Sequence, residues 1–250
     1  MNNLLSKSIL KQSVKGNWKL WLVLFAVMCL VVISMASISF PEGADITYFH
    51  LFGNAIFEGT GMFLILIFCI IVGNKLVASE VDRGTMSFTL NTPTTRKQII
   101  YSKALFFISS VVAMVLLISA VATVAILAFG AEIPMSKFWI LTLGFLAFMF
   151  CISGITFCAS CWFNKSGYSL LVGVGVPMGF FILGTVSSMV ESLDFLKYFT
   201  INTLFAADSI TMGGALDAVE LTLKFGALFI IGAVLYTIGI TKFLKKDLPL

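Results

Sequence analysis

The chain has 250 residues, 59% of them hydrophobic and 11% charged, with a net charge of +4. Soluble domains run at roughly 45–50% apolar and about 25% charged, so this composition excludes a water-soluble fold. The few charged side chains cluster in short islands between long apolar runs, as expected where lipid is the solvent.

Residues 1–17 form the first predicted element, an N-terminal interfacial helix. Lys7, Lys11, Lys15 and Lys19 recur every four residues and share one stripe, with Leu5 and Ile9 roughly opposite, so the helix is expected to lie flat on the cytoplasmic face of the membrane. A spanning helix needs about 20 apolar residues, and six segments qualify, at about 19–40, 57–78, 102–130, 138–163, 167–190 and 223–243. The first is too long for a signal peptide and lacks a small-residue cleavage site, so it is expected to be retained. His50, in the first outer loop, reads as a solvated loop residue. Glu58 stands near the outer end of the second span and is a candidate for lining an outer vestibule; Lys75 stands near the inner end.

Beyond the second span lies a cytoplasmic connection whose residues 80–92 read as a coupling segment. The fourth span ends in Cys158 and Cys161 beside Trp162, and packing is the favoured reading of this pair. All five cysteines lie inside apolar runs, without the paired spacing of a disulfide framework. In the fifth span Gly175 and Gly179 form a GxxxG pair that permits close backbone approach, and Pro177 removes a helix hydrogen bond. These three residues suit either a hinge or dimer packing, or else ordinary packing within one subunit. Residues 191–222 form an extracellular loop that mixes aromatics with acids, which suggests short interfacial helices.

Six crossings put both termini on one side. Thirteen of the sixteen Lys and Arg residues fall on that side and three on the other, which places both termini in the cytoplasm. The fold class is therefore an all-α polytopic membrane protein, a single transmembrane domain over residues 1–250.

The spans hold almost no ionisable side chain at depth, with Glu58 and Lys75 near the ends of the second as the close cases. Transport driven by an ion gradient needs such groups at depth, so the chain has no evident place to couple to one. Catalysis is not expected: intramembrane metalloproteases need several His and carboxylate ligands, aspartyl proteases need two facing aspartates, and a serine nucleophile needs a base. No metal site is expected. No GxxxxGK[ST] loop occurs either, so any ATP that drives this protein is bound elsewhere.

The stretch from Ser79 to Lys103 is the most informative. Glu80, Asp82 and Arg83 end a helix leaving the membrane, Gly84 permits a sharp turn, and Thr85 to Leu90 is long enough for a short surface helix. Pro93 helps to break that helix. Thr95 with Gln98 fits a capping box for the third span, and Arg96, Lys97 and Lys103 sit where lipid phosphates lie. The expected result is an elbow presenting Glu80, Asp82, Arg83 and the stretch from Met86 through Phe88 to Leu90 to the cytoplasm.

With Glu80, Arg83, Gly84, Thr85, Leu90, Pro93, Arg96 and Lys103 in this order, the chain resembles the permeases of ABC-2 type exporters, and the likeness extends to six spans, cytoplasmic ends and a longer outer loop before the last helix. The resemblance implies a dimer with a second permease copy or paralogue, each docking one ABC ATPase subunit through this loop, with ATP and Mg on that partner and no cofactor on this chain. The expected function is export of a hydrophobic or amphipathic substrate across a bacterial plasma membrane. Peptides, toxins or antimicrobials lead, ahead of lipids and drugs. Membrane lipids are expected partners and nucleic acid is not. The rival readings are a stand-alone transporter or channel, and a non-transporting sensor or scaffold that recruits an ATPase.

Overall fold

Inside lipid every backbone N–H and C=O must be paired within the chain, so long apolar runs become helices. The computed structural model describes residues 5–37, 48–90, 94–130, 133–189, 195, 200–205, 207–211 and 218–246. Among these, six helices are long and apolar enough to cross a membrane. In chain order the helices are α1 (Lys7–Ala36), α2 (Tyr48–Gly53), α3 (Thr60–Leu76), α4 (Ala78–Asp82), α5 (Met86–Leu90), α6 (Arg96–Phe129), α7 (Met135–Trp162), α8 (Ser166–Met189), α9 (Asn202–Phe205), α10 (Ala207–Thr211) and α11 (Ala218–Lys245). A π-helical turn, Asn54–Glu58, links α2 to α3.

Helix α7 is the centre of the molecule, packing against α11, α3, α8 and α6, while α1 lies along α6 and α3. Close approach of α7 and α11 depends on missing side chains. A methyl group at Gly154 would stand 3.1 Å from the Gly232 carbonyl oxygen, and one at Gly232 would stand 2.6 Å from the Phe150 ring. Tyr236 of α11 stacks on Phe150 and donates its hydroxyl to Ser153 Oγ at 2.9 Å, so its polar end is satisfied inside the bundle.

Two boundaries differ from the sequence-based expectation. The N-terminal segment is not a separate surface helix, because α1 runs unbroken from Lys7 to Ala36. Its lysine stripe is exposed as expected, but Ile9, Ser13 and Asn17 continue the buried i, i+4 stripe of Leu24, Met28 and Val32, and no residue between Lys15 and Lys19 breaks the backbone. The second span, in turn, is entered through α2 and the π turn, and Gly59 leaves helical geometry at φ −94°, ψ −124° before α3 begins. Glu58 closes that turn half-buried.

His50 is not a free loop residue. Its Nδ1 lies 3.0 Å from Thr211 Oγ1 on α10 and its Nε2 lies 3.2 Å from Asn54 Nδ2, which ties the segment before α3 to the one before α11. Between α8 and α11 the described residues include two short helices, α9 and α10, and Phe205 stacks against Phe148 with centroids 5.5 Å apart.

Candidate functional site

The connection between α3 and α6 folds as an elbow in two steps. Val77, at φ −130° and ψ −65°, breaks α3 from α4, and Gly84 then reverses the chain with a left-handed φ of +69°. The Gly84 amide donates to the Val81 carbonyl at 3.0 Å, and Thr85 Oγ1 donates to the Glu80 carbonyl at 3.2 Å. Helix α5 follows, and the capping box opens the third span as the sequence predicts: the Gln98 amide donates to Thr95 Oγ1 at 3.3 Å and the Thr95 amide to Gln98 Oε1 at 3.0 Å.

The elbow is locked rather than loosely displayed. Lys103 Nζ donates to Glu80 Oε2 at 2.6 Å and to the Leu76 carbonyl at 2.5 Å, with the lysine side chain 3% exposed and the glutamate 27%. This corrects two expectations. Lys103 does not sit among lipid phosphates, because its position one helical turn inside Ile99 and Ile100 faces the bundle. Glu80 is not freely presented at the surface, because its carboxylate is the counter-charge of the buried Lys103 ammonium.

Met86 likewise turns inward, 2% exposed, and joins the apolar core beneath α5. What the elbow does show to the outside is Arg83, Gly84, Thr85 and above all Phe88, which is 75% exposed. Asp82 is exposed too, but its Oδ2 accepts the Ser166 amide at 3.1 Å and so caps the first turn of α8. The backbone of Leu90 ends α5; Pro93 lies outside the described residues.

Further ties stitch the elbow to neighbouring spans. The Ala78 amide donates to Ser160 Oγ at 2.9 Å, and Asn74 Nδ2 donates to Ser166 Oγ at 2.6 Å. Lys75 Nζ donates to the Gly16 carbonyl of α1 at 2.7 Å. Arg96 reaches the other end of the chain, donating to the Lys246 carbonyl at 3.2 Å, while Lys246 Nζ donates to the Cys161 and Trp162 carbonyls at 3.1 and 3.0 Å. Burial against the end of α7 lowers the Lys246 pKa from the ordinary lysine value. Asn74, Ser160, Ser166 and Lys246 were not legible as site residues, since single serines and a terminal lysine carry no distinctive spacing.

In the fifth span Pro177 lies on the buried stripe with Ser169 and Gly173, whereas a methyl group at Gly175 or Gly179 would meet nothing within 4 Å. The GxxxG pair therefore takes no part in close packing within the described residues. Cys161 is buried and Cys158 half-buried, both as free thiols in the bundle wall.

A family model described as "ABC-2 family transporter protein" matches the chain from residue 5 to residue 248. No curated protein matches it.

Proposed function

The chain belongs to the ABC-2 family of transporter proteins, and from that premise we propose that it is the permease of an ATP-driven exporter whose elbow docks a separate ATPase subunit. The observation that carries this reading is the placement of Phe88. An aromatic ring left 75% exposed at the tip of a connection that is otherwise pinned to three spans is poised to fill a pocket on a partner. Arg83 and Thr85 beside it supply a polar rim. Because Glu80 and Asp82 are tied to the third and fifth spans, a push on Phe88 is delivered to α6 and α8 rather than lost in a mobile loop.

On this reading ATP and Mg are bound by the partner, two permease copies or paralogues pair, and the open face at Gly175 and Gly179 is available for that pairing. The cargo is a hydrophobic or amphipathic compound, with peptides, toxins or antimicrobials ahead of lipids and drugs, and both termini face the cytoplasm of a bacterial cell. The test is co-purification of the ATPase with Phe88→Ala and Arg83→Glu. Both variants should insert normally and lose the ATPase, and with it substrate-stimulated hydrolysis. Wild-type levels of bound ATPase and transport in the double variant would sink the docking role, and flux from the chain reconstituted alone would favour a stand-alone transporter.

A further inference from the structure

Helices α8 and α11 both pack on α7 but barely touch each other. Between them runs a groove of about 460 Å³, within the range of roughly 300–1,000 Å³ common for small-molecule sites. Its floor is α7 from Cys151 to Trp162, about 16 Å of helix at 1.5 Å per residue. That is close to half of a hydrocarbon core roughly 30 Å thick, the depth of one leaflet. Ile201 lies in its outer part, and Val172 and Leu235 stand on its walls. The groove is open along one side and its lining is apolar, which suits a hydrocarbon chain.

The inner mouth has a different character. Trp162 is 48% exposed there, with Lys242 Nζ 4.5 Å from its ring centroid. Exposed Lys165 sits in the turn between α7 and α8. The acid in contact with this turn, Asp82, is engaged by the Ser166 amide, and the Lys246 ammonium is engaged by the carbonyls ending α7. An apolar slot one leaflet deep, with two lysines at the level of its mouth, matches a molecule with one long apolar chain and an anionic head.

We propose that this groove binds an acyl chain of an anionic phospholipid from the leaflet facing the lysine-rich ends, with Lys242 and Lys165 holding the headgroup. The site is independent of the docking role assigned to the elbow. It gives the protein a lipid ligand seated where α8 and α11 would separate or close.

The probe is Trp162 itself. In the full chain with Trp18, Trp21 and Trp139 changed to Phe, Trp162 is the remaining tryptophan. Fluorescence is followed in phosphatidylcholine vesicles containing rising fractions of chain-brominated phosphatidylglycerol or, separately, chain-brominated phosphatidylcholine. Half-maximal quenching is expected at a lower fraction of the anionic lipid, by roughly fivefold for each lysine. Lys165→Gln with Lys242→Gln, both at exposed positions, should abolish that difference. Val172→Phe, which narrows the groove and leaves the lysines in place, should weaken quenching by both lipids. Equal quenching by the two lipids in the parent protein would show ordinary boundary lipid and overturn the site, as would a Val172→Phe curve superimposable on the parent. Quenching that falls as the protein-to-lipid ratio rises would assign the groove to a second copy of the chain instead.

Discussion

Lys103 and Lys246 satisfy carbonyls that helix ends leave open, Leu76 at the end of α3 and Cys161 with Trp162 at the end of α7. For Lys103 the glutamate partner makes the arrangement asymmetric. Lys103→Met strands a part-buried carboxylate and is expected to cost about 3 kcal/mol, whereas adding Glu80→Gln should restore much of the loss. Thermal unfolding of the detergent-solubilised protein measures both. Gly84→Ala forces a side chain into the left-handed region and should cost about 1–2 kcal/mol in the same assay, with Gly84→Asn closer to wild type. At this scale the sequence was informative where the signal was local. The Thr95–Gln98 box and the Gly84 turn are read from neighbours three or four positions apart. The Glu80–Lys103 pair was missed because its partners are 23 residues apart and meet only once α3 and α6 are side by side.

At the scale of elements, the seam between α7 and α11 illustrates which glycines matter. GxxxG in α8 is the pattern that draws attention in the sequence, yet within this chain close approach is made by Gly154 against Gly232. Gly232→Leu should therefore separate the two helices and cost about 1–3 kcal/mol or more, while Gly175→Leu should leave the stability of the isolated chain nearly unchanged. Thermal unfolding in detergent distinguishes the two. The same limit explains α1. A lysine every four residues marks an exposed stripe whether the helix lies on the membrane or continues into it, so the pattern located the face and left the helix boundary open. What decides continuity is the run of Ile9, Ser13 and Asn17 against the neighbouring helices, together with the Ser6 amide donating to Ser102 Oγ at 2.8 Å.

Over the whole molecule, α3, α6 and α7 form an inner group, whereas α1, α8 and α11 leave most of their spanning surface outside the bundle. Six spans were legible, because hydropathy reports on the bilayer directly. Which span is inner was not. Leu141 is fully buried and Leu171 is 69% exposed, yet both sit in charge-free runs, since a lipid-facing surface is as apolar as a core. The expected topology is open to a direct check. In a background without native cysteines, Phe88→Cys should resist a membrane-impermeant maleimide applied to intact cells and Glu220→Cys should react. The reverse pattern would invert the assignment of both termini.

The clasp between Lys246, Arg96 and the end of α7 also bears on how the polypeptide can be handled. A fluorescent reporter or purification handle grafted directly after residue 245 replaces the ammonium that closes Cys161 and Trp162, so it perturbs the end of α7 from a position 84 residues away in sequence. Moved downstream of Leu250, the same handle leaves that ammonium in the sequence.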